Sequence, residues 1–327
     1  MKLPNFFKKK KKSLYTIAFY NVENLFDHIQ DTNILDTDFI PTSDRKWDQN
    51  RYEKKLNKIA KVIASIGTSD THKHPPLIIG LAEVENKKVL KDLVNTEALS
   101  SLKYDFVHYN SPDERGIDTA LLYRKNYVNI TQSKSHELYI ETPEGIRDFT
   151  RDILQVSCTL LQEQITFLVN HWPSRRDGSG LTEYKRLNAA SKNKAILRAL
   201  SKEQPNQRFI VMGDFNDDPH DNSIKSLIEF GLYNPMETLL TKSKGTTKYK
   251  GHWNLFDQVI ISHSFLKYQK KKLNFKSASI YDPEFLKQRH GKYKGTPHRT
   301  FGGRNYTGGY SDHFPVYVTL EKIRIMQ

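Results

Sequence analysis

Five short polar segments, each tied to a strand-like stretch, constrain this chain more than its length does. They are Phe19-Tyr20-Asn21, Leu81-Ala82-Glu83, Asn170-His171-Trp172, Gly213-Asp214-Phe215-Asn216 and Ser311-Asp312-His313. Four of the five follow an apolar run, at residues 15–19, 77–81, 165–169 and 209–212. A strand that ends in an acid, an amide or an imidazole puts that group on the rim of a sheet. Five such rims in one place would supply carboxylates for a hard cation and two imidazoles for charge or proton work.

The rest of the chain alternates strands with helices. Leu56, Ile59, Ala60 and Ile63 recur at helical spacing over 51–66, with Gly67 as a natural stop. Helices are also expected around 87–94, over 181–200 and over 221–230, the last closed by Gly231. Strands are expected at 104–109, 119–123, 256–262 and 316–320, and a hairpin over 153–170 turns at Gln162-Glu163. Strands, hairpins and helices interspersed in this way fit two packed sheets with helices on both outer faces. No repeat, Gly/Ser linker or composition break divides the chain. One domain over 14–327 is expected, behind a basic, disordered tail at 1–13 and with a basic insertion at about 264–310.

Composition narrows the partners. Mean hydropathy is −0.67 and no 18-residue apolar run exists to span a membrane. The first twelve residues put a lysine run after a very short apolar patch, the reverse of a secretory signal, so a cytoplasmic location is expected. The single cysteine, Cys158, lies in a strand-like stretch and reads as a small buried hydrophobe. Of the net charge of +14, Lys2 and Lys8–Lys12 supply six, which leaves +8 for the remainder. Residues 264–310 hold eleven Lys/Arg against Asp282 and Glu284. Such a surface suits a polyanion, with nucleic acid the commonest and anionic lipid headgroups the alternative.

Taken in order, the segments with GDFN at 213–216 and SDHFPV at 311–316 resemble the endonuclease/exonuclease/phosphatase superfamily, which has the deoxyribonuclease I-like fold. The resemblance runs from about residue 15 to residue 320. It implies a four-layer αββα sandwich of two packed, mainly antiparallel sheets with helices outside, and phosphoester hydrolysis supported by Mg²⁺ (or Mn²⁺). By the same resemblance Glu83 is the main metal ligand, Asn21 belongs to the metal and phosphate shell, and Asp312 joins or supports the metal site. Asp214 takes a proton or orients water, Asn216 donates an amide hydrogen bond, His171 and His313 stabilise the transition state, and Asp257 orients His313. On a single extended segment, Asp214 and Asn216 should project to one side. Asp217 and Asp218 read as caps of the following helix, and Glu85 as a poorer ligand candidate than Glu83.

Flanking residues suggest substrate contacts. Arg115 precedes a strand, and Arg175 and Arg176 sit in a Pro/Gly-bounded loop suited to bidentate phosphate binding. Each arginine reads equally well as a surface salt bridge. In the insertion, Arg299 and Arg304 interleave with Phe301, Tyr306 and Tyr310, a composition that can stack on bases and grip a backbone. The stretch NHWPSRR at 170–176 lacks the tyrosine and asparagine that the apurinic endonucleases use at the equivalent place, which disfavours abasic-site repair. The expected activity is a metal-dependent nuclease acting on DNA or RNA, with the chain a monomer. The alternatives are a phosphatase of small or lipid-borne esters and, more distantly, an inactive polyanion-binding module.

Overall fold

Alternate residues of the strand Arg208–Asp214 enter two different cores, and this alternation organises the molecule. Ile210 and Met212 join one cluster with Ile165, Phe167 and Val169, while Phe209 and Val211 join another with Leu168, Ala189 and Leu197. The first cluster lies between two sheets and the second lies beneath helices, the pattern of a strand buried on both faces.

The computed structural model describes residues 10–69, 74–175 and 178–325. The first sheet contains β1 (Lys10–Leu25), β2 (Ile78–Val84), β3 (Tyr104–His108) and β4 (Asp118–Arg124). The second contains β5 (Val128–His136), β6 (Ile153–Leu160), β7 (Glu163–His171), β8 (Arg208–Asp214), β9 (Leu232–Tyr233) and β10 (Asp257–Ser262). Two late strands, β11 (Asn274–Ile280) and β12 (Val316–Ile325), return to the first sheet. The orders are β11-β12-β1-β2-β4-β3 and β9-β10-β8-β7-β6-β5. Each sheet has one parallel pair, β1/β2 or β7/β8, at its centre, and its other pairings are antiparallel. The mainly antiparallel sandwich is therefore correct.

A parallel pair demands a crossover, and a helix makes each one. Helix α1 (Gln49–Ser65) joins β1 to β2, and α4 (Glu183–Glu203) joins β7 to β8. The shorter helices are α2 (Lys87–Val94), α3 (Glu97–Ser100) and α5 (Asn222–Ile228). Helix α1 starts where the Asp48 side chain accepts the Arg51 amide (2.9 Å), buries Leu56, Ile59 and Ile63, and is followed by Gly67 at φ +70°. Between the sheets there is no room at Gly80, where a Cβ would sit 2.7 Å from Met212 Sδ. Cys158 is fully buried and burial pushes its thiol up to about 12, as fits a small hydrophobe.

Two expectations need correction. Lys10 to Ser13 form the start of β1, paired with Lys322 to Ile325, rather than a loose tail; residues 1–9 lie outside the described residues. The basic insertion supplies β11, an edge strand of the first sheet. Pro315 therefore launches an interior strand, since β12 is flanked by β1 and β11. Its missing N–H does no harm because it precedes the first ladder pair of β12 with β1, Phe19 with Val316.

Candidate active site

The carboxyl-terminal parts of the two parallel pairs carry four of the candidate residues. Asn21 and Glu83 lie in the carboxyl-terminal parts of β1 and β2, and β7 and β8 end with His171 and Asp214, which are register partners. His171 and Asp214 share the parity of Val169 and Met212, so both project between the sheets. Asn170 has the opposite parity and accepts from Asn193 of α4 at 2.7 Å. Asp257 opens β10 directly opposite Asp214.

Asp214 Oδ2 is the junction of the two sheets. It accepts from Asn21 Nδ2 at 3.0 Å and lies 3.8 Å from His171 Nε2 and 3.9 Å from His313 Nε2. The other oxygen accepts the Asn216 amide at 3.0 Å. His313 Nδ1 donates to Asp257 Oδ2 at 2.7 Å, and the His313 amide donates to Ser311 Oγ, whose hydroxyl in turn donates to Asn21 O (2.7 Å). Asp214, Asp257 and His313 are close enough together to suggest a cation site. Because His313 Nδ1 already donates to Asp257, the trio is better described as an oriented imidazole beside a second acid.

The two imidazoles differ in protonation. Burial drives the His171 pKa well below its ordinary value, and the nearby Arg151, Arg115 and His313 charges add to this. Burial also opposes the His313 cation, but the Asp257 and Asp214 carboxylates outweigh it and raise that pKa well above the ordinary value. The Asp214 carboxyl is pushed up to about 6 by burial, against the pull of His313. His171 is thus neutral and His313 charged near neutrality. His171 Nδ1 is buried without a partner among the described residues, so we assign the ring hydrogen to Nε2, which faces Glu83 Oε1 (3.9 Å) and Asp214.

Glu83 is aimed by a bulge. Its φ is +65°, and the β2 register breaks on either side of it against both β1 and β4. Holding a non-glycine residue there costs on the order of 1–3 kcal/mol, and the bulge turns the carboxylate out of strand alternation. Glu83 Oε2 accepts the Asn24 amide at 2.8 Å and stands 3.9 Å from Arg115, which also donates to Asn24 Oδ1. The Glu83 carboxylate offers the kind of oxygen donor that a hard divalent cation takes.

The remaining sequence candidates divide. Arg115 is at the site, with its side chain 38% exposed. Asp312 accepts from Arg299 at 2.6 Å, and Arg299 also pairs with the buried Glu23 at 3.6 Å, so this arginine clamps acids beside the site. Arg175 turns away to Asp217 and Asp221 and donates to Asn216 O, which matches the salt-bridge alternative. Arg304 pairs with Asp44, and Tyr306 packs under Arg51 and against Phe301. Arg176 lies outside the described residues. Asn216 has φ +49°, so the Asp214–Asn216 segment is not extended and simple alternation does not apply; its side-chain amide donates to Trp172 O at 3.0 Å. Asp217 is no cap but a buried acceptor for Arg186 and Ser223, and Asp218 receives the Leu255 amide. Glu85 accepts the Asp27 amide at 2.6 Å and so braces a loop.

Sequence reasoning missed Arg151. It donates to Trp172 O (2.8 Å) and Asp113 (3.1 Å) and helps keep His171 neutral. No motif marks it, since its effect depends on a fold contact.

Among solved structures, an endonuclease/exonuclease/phosphatase family protein from Bacteroides thetaiotaomicron is 17% identical, with a TM-score of 0.59 over 95% of this chain and 98% of its own. The mannosyl-6-phosphatase of the same organism is 17% identical, with a TM-score of 0.56 over 94% of this chain and 99% of its own. The D. rerio TDP2 complexed with a single-strand DNA product is 15% identical, with a TM-score of 0.54 over 94% and 99%. These likenesses establish the fold. No curated protein sequence matches the chain. The model of the Endonuclease/Exonuclease/phosphatase family matches residues 16–322, which span all five site segments, and the chain belongs to that family.

Proposed function

We propose that the chain is a divalent-metal-dependent phosphodiesterase acting on nucleic acid. The observation that carries this reading is the Asp214 carboxylate between two imidazoles of opposite protonation, with the Glu83 carboxylate 3.9 Å from His171. Family membership makes it a phosphoester hydrolase at the coarser level.

In this reading Asp214 orients a water molecule and takes its proton as the water oxygen forms a bond to phosphorus. The bond from phosphorus to the leaving oxygen then breaks. His313, fixed by Asp257, and His171, through Nε2–H, donate to the non-bridging oxygens as charge builds on them. Arg115, 3.9 Å from Glu83, would hold the phosphate of the substrate. Glu83, with Asn21 and Asp312, would hold Mg²⁺ or Mn²⁺, which supplies positive charge against the phosphate and the leaving group.

The test is a panel of single-stranded DNA, RNA, a phosphoinositide, a sugar phosphate and bis(p-nitrophenyl) phosphate with Mg²⁺ or Mn²⁺. Cleavage of the nucleic acids with higher kcat/KM than the small esters is expected. Preference for the sugar phosphate or the phosphoinositide would replace the nuclease reading with a phosphatase one. The rate should also depend on pH. It should climb as Asp214 ionises around 6 and fall in alkali as His313 loses its proton. A profile with no acid limb around pH 6 would remove Asp214 from the chemistry, and one with no alkaline fall would remove His313.

A further inference from the structure

Next to His313, Phe314 helps to line a groove of about 780 Å³ that the five-segment site does not include. Two stretches far apart in sequence form its walls: the loop and ribbon from Lys242 to Trp253, and the segment from Asp282 to Gly295. The Phe314 amide donates to Thr246 O at 2.8 Å, which seats the first wall directly against the catalytic segment. Trp253 stacks near Phe314, with ring centroids 6.2 Å apart and planes 21° apart.

The charge of this groove is one-sided. Six cationic side chains line it against Asp282 and Glu284. Lys244 and Lys287 pair with those two acids. For Lys242, Lys248, Arg289 and Lys294 no acidic partner is found among the described residues, and Lys248 lies over the Trp253 ring at 5.4 Å. Unneutralised cations along a trough with an indole in its wall fit a strand that carries a phosphate at each step and a flat base between steps. A single small phosphate ester would leave most of these cations without a counter-charge.

We propose that this groove is a second binding site, which holds the single-stranded nucleic acid next to the scissile phosphate with a base against Trp253 and phosphates on Lys242, Arg289 and Lys294. The proposal deepens the nuclease reading and rests on it for the position of the cut. It also relocates the expected grip. Arg299 and Arg304 are engaged by acids, whereas Lys242, Lys248, Arg289 and Lys294 have no acidic partner among the described residues.

Trp253 offers a direct readout. Trp47 and Trp172 are fully buried, so Trp253 is the one indole with exposed surface in a chain that has three tryptophans. The experiment uses the full chain in EDTA, to prevent turnover, and a single-stranded oligothymidylate of about a dozen nucleotides. Binding should shield Trp253 from acrylamide quenching. The triple variant Lys242→Ala, Arg289→Ala, Lys294→Ala should bind about tenfold or more weaker, with a salt slope shallower by about 2. Its turnover of bis(p-nitrophenyl) phosphate should match wild type, because that ester does not reach the groove. Inorganic tripolyphosphate should compete with the oligonucleotide yet leave the indole accessible. An unshielded Trp253, an unchanged salt slope in the variant, or equal shielding by tripolyphosphate would overturn the proposal. If the groove behaves as expected but no phosphodiester is hydrolysed with metal, the catalytic reading fails and the groove stands. If the small ester is hydrolysed but the oligonucleotide does not bind, the groove fails and the catalytic reading stands.

Discussion

An Asp214→Asn substitution is expected to lower kcat on a phosphodiester by about 10²- to 10⁴-fold in a protein that remains folded. The change removes the anion that faces both imidazoles and leaves the size of the side chain almost unaltered. Stability should change little. One buried hydrogen bond, from Asn21 Nδ2, is weakened, at about 1 kcal/mol, while the removal of a buried charge works in the other direction. The pH profile gives a second signature. Without the Asp214 carboxylate, His313 loses one of the charges that raise its pKa, so the alkaline fall should begin at lower pH. His313→Ala should cost a similar factor, and the double variant should lose far less than the product of the two, because both groups act on one transition state. Paired kcat and thermal-melting measurements check this. A wild-type-like rate in either single variant would mean that the site has been misassigned.

Gly213→Ala should damage both folding and turnover. A Cβ at Gly213 would lie 2.4 Å from Asn170 O and 2.7 Å from Asn170 Cβ, on the neighbouring strand β7. Backbone cannot swing aside as a long side chain can, so β7 and β8 must separate at the step before His171 and Asp214. Overpacking of this kind costs about 1–3 kcal/mol, which corresponds to a drop in Tm of several degrees for a chain of this size. The surviving folded protein should also turn over more slowly, because the imidazole and the acid move apart. Gly80→Ala is the control: its closest contact, Met212 Sδ at 2.7 Å, is a flexible side chain, although Phe19 and Val169 also crowd it at 3.1 Å. A Gly213→Ala protein with unaltered melting and rate would show that the strand pair tolerates the shift.

The sequence made the sandwich and the main site readable because both rest on local signals. Apolar runs leading to Asn21, Glu83, His171 and Asp214 mark strands buried on two faces, and alternation alone directs His171 and Asp214 between the sheets. Alternation failed where the backbone leaves the extended region. Glu83 and Asn216 both have positive φ, and no residue pattern announces a bulge at a glutamate. Arginine roles were the least legible. Arg175 and Arg299 read as phosphate ligands by their neighbours in sequence, but their acids, Asp217, Asp221, Asp312 and Glu23, arrive through the fold. The groove had a signal that charge counting passed over. Lysines at 242, 244, 248 and 250 run up to Trp253, outside the more densely basic stretch at 264–310.

One site, built from the strand ends of both sheets, is proposed to hydrolyse phosphodiesters with a hard cation held at Glu83. Its most direct test is the rate of bis(p-nitrophenyl) phosphate hydrolysis against Mg²⁺ concentration, for wild type and for Glu83→Gln, with circular dichroism to verify the fold. Wild type should show saturable Mg²⁺ dependence and no turnover in excess EDTA. The folded Glu83→Gln variant should be slower by about 10²-fold or more, with saturation at much higher Mg²⁺. Undiminished hydrolysis in excess chelator, or a variant with the wild-type Mg²⁺ curve, would contradict the assignment of the cation to Glu83.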